Sequence, residues 1–519
     1  MRVARSRPVA STTIAIATLL IGSSAYASTG YEFPENGTEQ LGRAGAWVAR
    51  ASNPLTTFFN PAGLAGQHSG VMLTTNLIWQ KNCLKRIHPD GSTATAGAGG
   101  AYVYPEEVCN ENSGTPFPNP QLGAVLQLDD RMSLGFAVLG PSTKGKFKYP
   151  ELVDGTWNGN ARKVPGPQRY LLMEDDLLLI WPQIGIGIEV TDNLRLGASF
   201  IWGLARLKFS AMAAGFADAQ STSGPAGTGF PNDDFSGDFR ADLDVKDLFV
   251  PGFTVGALWS PSENIDIGAW YHWMDSIKAK GDTTIFGPVY GDNPQNPPQQ
   301  QGSTSTTGDS VEMVAPWPMQ ARLGFRYHQP RDGAAPDFAT GSRDPMAFDV
   351  FDIEVDLTWA NNSQFDELKV TLPENTFVRV GTIDFEMPTD ASIPHKWKDA
   401  YGVRLGSDYV LIPNKLAVRA GAFFETEAQD PKYLHVDYVP SQMFGLNAGA
   451  TLRFGALDVM VGYGHVFFKG LDNGGDGMTK GLAGTTSATG EDYRTEAAVN
   501  GGSNSSVVNV ASIGAGYTF

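Results

Sequence analysis

The residues of this sequence that could do chemistry are scattered and do not form a known motif. Its seven histidines stand at positions 68, 88, 272, 328, 395, 435 and 465, and no two have the spacing of a metal-binding motif. There is neither a Gly-x-Ser-x-Gly nucleophile motif nor a phosphate-binding loop. A Ser, a His and a third partner could still meet on neighbouring strands, but nothing in the sequence points to them. We therefore expect no enzyme, no metal site and no cofactor.

Charged residues do recur inside otherwise apolar segments. They are Arg195, Arg322, Arg326, Arg404, Arg419, Asp266, Asp352, Glu354, Asp356 and Asp408. Charges that face the inside of a protein must be paired or hydrated, because burying an unpaired charge costs several kcal/mol. Two interpretations are open: these residues line an aqueous pore with salt bridges, or they hold the backbone of a plug inside it.

The segments that carry these charges alternate apolar and polar residues with a period of two, which predicts β-strands. In Phe351–Trp359 the odd positions are apolar and the even positions include three acids. The last segment, Val507–Phe519, opposes an apolar, aromatic face to a small polar one. The pattern recurs in Ile265–Trp273, Trp317–His328, Tyr401–Tyr409 and Lys415–Glu425. We expect the apolar faces to point outward, including Trp317 at the start of its segment.

We predict fourteen such strands, at about 69–80, 120–129, 132–140, 181–190, 193–209, 235–260, 263–280, 310–329, 346–360, 397–410, 414–427, 443–454, 456–469 and 505–519. Even-numbered strands are followed by short turns and odd-numbered ones by long segments, the asymmetry typical of outer-membrane barrels. The exception is the longer connection Gln329–Pro345. Tyr170–Trp181 is either a short helix or an early start of the fourth strand.

A soluble β-sandwich would alternate in the same way. Two features favour a membrane barrel: Trp and Tyr cluster at the strand ends, and the strands have the roughly ten residues that cross a bilayer when tilted. A closed barrel also leaves no backbone group unpaired in lipid. The fold class is therefore all-β, a transmembrane antiparallel barrel.

Composition excludes other classes. The formal charge is −17 with 18% charged residues, which argues against nucleic-acid binding, since that needs a basic face. No run of 18 apolar residues occurs beyond the extreme N-terminus, which excludes a helical membrane protein.

Residues 1–27 have the features of a secretory signal peptide. Three arginines precede an apolar core, Ile14–Ile21, and Ala25–Ala27 is a cleavage site of the A-x-A kind. Export permits a disulfide. We predict that Cys83 and Cys109, the two cysteines of the chain, pair and close a loop worth roughly 3 kcal/mol of chain entropy.

The segment Gly37–Gly66 is too short and too Gly-rich for a core of its own, and too long for a simple lead to the first strand. It carries Trp47, Phe58 and Phe59, with Asn53-Pro54 and Asn60-Pro61 as turn formers. We interpret it as a plug inside the barrel.

The sequence resembles the FadL family of outer-membrane transporters for long-chain fatty acids and hydrocarbons. The resemblance rests on Leu41–Ala44 followed by Asn60, Pro61 and Ala62, the hallmark of that family's hatch, and on the wall segments Pro182–Phe200, Val403–Gly406, Val418–Gly421 and Gly462–Phe467. It implies a hatch at 28–68 inside a fourteen-stranded barrel at 69–519.

The resemblance also implies a function and its parts. An apolar ligand would bind at the extracellular loops, pass to a pocket above the hatch, and leave sideways through the wall after the hatch rearranges. Phe58 and Phe59 are candidate ligand contacts, and Gly140-Pro141 is a candidate for the wall opening. Arg195, Arg404 or Arg419 could bind a fatty-acid carboxylate, although structural pairing is the alternative for each.

We expect the location to be the outer membrane of a Gram-negative bacterium and the protein to be a monomer. Its partners would be a hydrophobic small molecule, outer-membrane lipid and lipopolysaccharide, and the barrel-assembly machinery, through the strand that ends in Phe519. The rival functions are a general aqueous porin and a barrel adhesin or enzyme.

Overall fold

Period-two segments account for nearly all of the regular structure in the computed structural model. It describes residues 36–88, 91–97, 100–105, 107–140, 145–214, 235, 238–287, 289–290, 303–306, 311–331, 344–374, 376–380, 383–438, 440–482 and 494–519. The predicted signal peptide, the first residues of the predicted hatch (28–35) and Pro141 lie outside these ranges.

Fourteen antiparallel strands form the wall of a closed barrel, as predicted. They are β1 (Gly70–Arg86), β2 (Phe117–Gln127), β3 (Met132–Leu139), β4 (Glu174–Thr191), β5 (Leu194–Ala214), β6 (Asp238–Ser262), β7 (Ile265–Met274), β8 (Gln320–Pro330), β9 (Asp349–Ala360), β10 (Ala400–Ile412), β11 (Leu416–Glu425), β12 (Met443–Phe454), β13 (Leu457–Phe468) and β14 (Gly502–Thr518). Each pairs with its neighbours in sequence, and β1 closes the barrel on β14 from Gly70 opposite Thr518 to Arg86 opposite Gly502.

The strand boundaries differ from the prediction at a few places. β4 begins at Glu174, so Tyr170–Trp181 contains the early start of the fourth strand and not a helix. The predicted strand 263–280 is two strands, β7 and Ile277–Phe286. The predicted strand 310–329 is also two strands, Val311–Ala315 and β8. Pro316 and Pro318 separate the latter two, because proline has no backbone N–H to donate to a neighbouring strand.

Trp317, between these two prolines, was expected on the outer face, and this prediction is wrong. Its side chain is only 3% exposed and lies edge-on to Trp181, with ring centroids 5.1 Å apart. The interruption of the strand ends the strict alternation there, so the ring turns into the bore.

The two faces of the wall otherwise separate as the alternation predicts. On β9, Ile353, Val355 and Leu357 are exposed on the outside of the barrel, whereas Asp352 and Glu354 are buried. The same separation holds for the apolar and charged residues of β7, β10 and β11. An apolar outer band on a closed barrel is the arrangement that suits a lipid bilayer.

Connections at one end of the barrel, the turn end, are short except for the one between β8 and β9, and those at the other, the loop end, are long. Both chain ends of the wall meet at the turn end, where Phe519 donates a backbone hydrogen bond to Ser69. A short helix, Pro345–Phe348, precedes β9 there. Within the described residues, no helix has the length and apolar character to cross a membrane.

At the loop end the sheet extends beyond the wall. The strands Lys146–Lys148, Ile277–Phe286, Val311–Ala315 and Glu367–Thr371 continue its pairing. Smaller sheets are formed by Ala94–Gly97, Gly100–Val103, Leu152–Trp157 and Asn160–Pro165, by Ser303–Thr306, Thr376–Val380 and Ile383–Glu386, and by Lys480–Leu482 with Arg494–Ala498. Ile393–Pro394 and Val108–Cys109 add short pairings, and Glu111–Gly114, Asn362–Gln364 and Pro431–Tyr433 are single 3₁₀ turns. Cys83 of β1 is bonded to Cys109, with an S–S distance of 2.00 Å.

The N-terminal residues lie inside the bore. Residues 36–68, which we call the hatch, contain α1 (Thr38–Gly42), α2 (Thr56–Phe59) and a 3₁₀ turn, Pro61–Leu64. Nearly every hatch side chain is buried. Helices this short are not stable by themselves, so the hatch owes its structure to the wall around it.

Candidate functional site

One arginine of the hatch is surrounded by acids of the wall. Arg43 follows α1 and is fully buried. Its guanidinium donates to Asp352 at 2.6 Å, to Asp408 at 2.8 Å and to Glu354 at 3.0 Å. Three carboxylates on two neighbouring strands thus meet one cation, a charge-assisted arrangement stronger than ordinary hydrogen bonds.

The same wall acids bind the hatch backbone. The N–H groups of Trp47 and Val48 donate to one oxygen of Asp356, at 2.9 and 3.1 Å. The N–H groups of Ala49 and Arg50 donate to one oxygen of Glu354, at 2.7 and 3.3 Å. These carboxylates satisfy N–H groups that have no helix or strand partner of their own, a requirement for buried backbone.

Further cations share the acids. Arg50 of the hatch lies 2.5 Å from Asp352 and 3.0 Å from Asp408, and Arg326 of β8 donates to Asp352 at 2.9 Å and to Asp266 at 3.0 Å. One network, which we call the hatch clamp, therefore joins the hatch to the wall. It consists of Arg43, Arg50, Arg326, Asp266, Asp352, Glu354, Asp356 and Asp408. Its contacts fit the second sequence-based interpretation, in which wall charges hold a plug.

Three arginines were predicted as candidates to bind the carboxylate of a ligand. Two of them contact other groups of the protein, and the third is buried. Arg404 donates to the carbonyl of Ala44 in the hatch at 3.0 Å and pairs with Glu425. Arg419 lies 3.0 Å from Glu39 of the hatch and 3.3 Å from Asp408. Arg195 is buried on β5. Arg404 and Arg419 are thus paired with groups of the protein, and a role in ligand binding stays a prediction for all three arginines.

The Asn60-Pro61-Ala62 motif joins two parts of the hatch to the wall. The Asn60 amide donates to the carbonyl of Val48 at 2.8 Å and to that of Ala257 on β6 at 3.2 Å, while its oxygen accepts from the Ala62 N–H. Pro61 opens the 3₁₀ turn, where its missing N–H leaves nothing unsatisfied.

Glycines of the wall let the hatch backbone approach at this motif. A Cβ atom added at Gly256 would lie 1.9 Å from the Asn60 side-chain oxygen, and one at Gly197 would lie 2.2 Å from the Pro61 carbonyl carbon. Both distances are far inside van der Waals contact. The Gly residues that the sequence places at inward positions are therefore required by the close packing of hatch on wall.

Aromatic rings cover the loop-end surface of the hatch. Phe58 lies 5.9 Å from Trp181, 5.8 Å from Trp270 and 5.2 Å from His272, measured between ring centroids. The Trp270 indole donates to the Phe58 carbonyl at 2.7 Å. Phe59 is buried against Phe58 at 5.2 Å. An apolar molecule in the bore would meet this aromatic layer before the hatch clamp.

An apolar cavity of about 70 Å³ lies at the loop end. Its lining includes Leu171, Phe209, Leu243, Ile285, Leu372 and Met387, with Thr479, Lys480 and His435 as polar members. Most buried apolar residues of the lining, among them Leu243, Ile285 and Met387, belong to the same continuous cluster as Phe58 and Trp181, whereas Leu171 and Met212 belong to a neighbouring cluster. Packed apolar side chains thus connect the cavity with the hatch.

Two buried polar clusters fix the loops around the cavity. Arg169 pairs with Asp238 at 2.7 Å, and the Tyr170 hydroxyl donates to the same carboxylate at 2.6 Å. Asp437 lies between His395 and His435. Burial alone would raise the pKa of the Asp437 carboxyl, but the two imidazoles hold that pKa well below its usual range.

The pairing of β3 with β4 is interrupted near Gly140. The ladder runs from Ile188 opposite Met132 to Trp181 opposite Leu139, and resumes at Asp176 opposite Lys146. Asn36, the first hatch residue described, donates its side-chain amide to the Gly140 carbonyl at 2.7 Å. The start of the hatch therefore lies at an irregular place in the wall.

The sequence had shown the charges, the motif and the aromatic residues, but not the cavity or its loops. The cavity is built from eight separate segments of the chain, none of which has a distinctive pattern. Alternation could have assigned Leu243 to the inner face, whereas Leu372 and Met387 lie in loops that no periodicity describes.

Comparisons with known proteins agree with this architecture. Residues 19–501 match the model of a family described as outer membrane protein transport protein (OMPP1/FadL/TodX). Among curated proteins, none matches the sequence.

Solved structures are similar over almost the whole chain. A Pseudomonas aeruginosa FadL homologue is 21% identical, with a TM-score of 0.65 over 95% of this chain and 100% of that one. The Pseudomonas putida toluene transporter TodX is 15% identical, with a TM-score of 0.58 over 95% and 100%. The Ralstonia pickettii toluene transporter TbuX is 14% identical, with a TM-score of 0.55 over 94% and 99%. At these identities the similarity shows a shared fold.

Proposed function

Because the chain belongs to the outer membrane transport protein family (OMPP1/FadL/TodX), we propose that it takes up hydrophobic molecules, long-chain fatty acids or hydrocarbons, through the cavity and hatch described above. The family comprises outer-membrane channels for hydrophobic compounds and is not a family of enzymes. Its members lie in the outer membrane of Gram-negative bacteria, as we expected for this chain.

The observation that carries the proposal is the apolar cavity at the loop end together with the continuous apolar packing that connects it with Phe58. A hydrophobic molecule gains about 25 cal/mol per Å² of apolar surface moved from water to such a lining. A cavity of about 70 Å³ is smaller than the 300 Å³ or more of typical ligand sites. Ligand entry must therefore push the surrounding loops apart.

Passage beyond the aromatic layer requires the hatch to move. The hatch clamp lies on the turn-end side of Phe58 and binds the hatch backbone directly, as the contacts of Glu354 and Asp356 show. An apolar ligand that passed along the axis of the bore would have to displace the partners of these ionic groups and leave them buried without compensation, which is costly. A sideways exit avoids that cost.

We place the exit at the interruption between β3 and β4. Asn36 bonds to Gly140 there and to Asn119 of β2, whose amide donates to it at 2.8 Å. Displacement of Asn36 would free both wall groups and open the route from the bore to the lipid. A hydrocarbon would then leave into the outer leaflet without crossing the charged part of the lumen.

The remaining partners belong to the same proposal. The apolar outer band contacts lipid and lipopolysaccharide, and Phe519, which is 77% exposed, contacts the barrel-assembly machinery as the end of β14. A monomer suffices for this function, because the bore is closed within one chain.

The test fills the cavity. Ala213 lines the cavity and is 1% exposed; Ala213→Phe should abolish binding of oleate and toluene to the purified protein, measured by quenching of tryptophan fluorescence, and slow uptake by cells. The control is Ala420→Phe on the outer face of β11, which should change neither. If Ala213→Phe leaves both ligands bound and taken up at normal rates, the proposed route is wrong.

The rival porin function has a separate readout. A wall closed by the hatch should pass few ions in planar bilayers, whereas a general porin conducts steadily. High conductance of the unmodified protein would favour the rival.

A further inference from the structure

Three side chains from two long loops meet beside the cavity. His395 comes from the loop between β9 and β10, and His435 and Asp437 come from the loop between β11 and β12. His395 Nε2 lies 2.9 Å from one Asp437 oxygen, and His435 Nδ1 lies 2.6 Å from the other. One ligand atom from each residue lies within 4.8 Å of the other two, and all three residues are buried.

The hydrogen bonds of His395 leave one of its nitrogens in conflict. Nδ1 lies 3.0 Å from the Ile393 carbonyl, and Nε2 faces the Asp437 carboxylate. Both oxygens only accept, whereas a neutral imidazole has a single N–H. If Nδ1 donates to Ile393, the Nε2 lone pair points at a carboxylate oxygen.

His435 has the same difficulty in another form. Its Nδ1 lies 3.3 Å from the backbone N–H of Asp437, which can only donate, and 2.6 Å from the carboxylate, which only accepts. One nitrogen cannot be both donor and acceptor. A cation between the three side chains removes the conflict at His395 and explains why a His435 nitrogen faces the carboxylate, because it accepts lone pairs from two nitrogens and an oxygen.

We propose that His395, His435 and Asp437 bind a divalent transition-metal ion, with Zn²⁺ as the expected one. Two imidazoles and a carboxylate are ligands that suit zinc. A backbone carbonyl on the far nitrogen of His395 is the partner that orients metal-binding histidines in other proteins. Tetrahedral zinc sets ligand atoms about 3.3 Å apart, so the ligands separate slightly on binding.

The ion would fasten the two loops to each other at the edge of the ligand route. His435 lines the cavity. The ring of His395 packs on Phe365 and Trp397, at 4.9 and 5.7 Å between centroids, and these aromatic side chains keep water from the site. The inference goes beyond uptake, since it assigns a stabilising metal to the entrance whatever ligand is carried.

The test uses the full-length protein, without a histidine tag, after removal of metals by chelation. Zn²⁺ titrated calorimetrically should bind with one equivalent per chain, and Co²⁺ should give the d–d absorption of nitrogen and oxygen ligands. His395→Gln and Asp437→Asn should each weaken Zn²⁺ binding at least 100-fold. The control His68→Gln replaces an exposed histidine and should bind as the parent does.

Folding of each variant is checked by the heat-dependent mobility of the barrel in detergent gels. The proposal is overturned if the parent binds no stoichiometric metal, or if the two variants bind it as tightly as the parent does. Because metal is measured without any hydrophobic ligand, failure here leaves the proposed uptake function standing, and failure of uptake leaves the metal site standing.

Discussion

Removing the central cation of the hatch clamp should open the barrel. In an Arg43→Ala variant, Asp352 keeps Arg50 and Arg326, and Asp408 keeps Arg50 and Arg419. Glu354 loses its arginine partner and keeps the backbone N–H groups of Ala49 and Arg50. A carboxylate stays buried without the cation that neutralised it.

Breaking a buried ion pair by removing one partner costs about 3–5 kcal/mol. The cost falls on the state in which the hatch is seated, because the wall acids become hydrated when the hatch is displaced. At about 1.4 kcal/mol per factor of ten, the ratio of seated to displaced hatch should fall by roughly 100-fold to several thousand-fold.

Single-channel recording in planar bilayers measures this ratio. The variant should show frequent or permanent openings where the parent stays closed, and cells that carry it should become sensitive to large antibiotics. The matched control is Arg206→Ala, which removes an arginine paired with Asp244 at 2.7 Å on the exposed loop end. An exposed pair contributes little, so conductance should match that of the parent. If the Arg43 variant folds and stays as closed as the control, the wall acids do not hold the hatch.

Two further predictions test the packing around the hatch and the disulfide. Gly197→Ala should unseat the hatch and raise conductance, since the new Cβ would lie 2.2 Å from the Pro61 carbonyl carbon. The matched wall control is Gly516→Ala, whose Cβ would meet nothing closer than 3.6 Å. Equal conductance of the two variants would contradict the packing argument. The double variant Cys83→Ser, Cys109→Ser should leave the barrel folded but speed proteolysis of the loop after β1. The cross-link joins residues 26 positions apart and removes roughly 3 kcal/mol of chain entropy from the open loop. Unchanged cleavage would show that other contacts hold the loop.

Sequence alternation predicted the wall because it is a local property. Side chains of a strand point to opposite faces at every second residue, so the pattern of β9 alone assigns Asp352 inward and Leu357 outward. Strand number and the unequal connections followed from repeating that step along the chain. Trp317, whose face was predicted wrongly, lies where two prolines end the strand, so that the alternation of faces no longer applies.

The partners of the inward charges could not be derived in this way. Arg43 and Asp352 are separated by 309 positions, and the sequence left open whether such acids line water or hold a plug. The answer depends on where the hatch sits along the bore, which the closing of β1 on β14 and the glycine contacts of the wall decide.

The contacts at the loop end could be predicted from the sequence even less than those of the inward charges. His395 and His435 are 40 positions apart and fail any test of ligand spacing, yet folding of two loops brings both to Asp437. The sequence by itself determined that this chain forms a barrel with an apolar outside and a charged inside, because each strand carries that information within itself. Only the tertiary structure decided which charges meet, where the cavity lies and which side chains meet beside it, because those contacts join segments that share no local pattern.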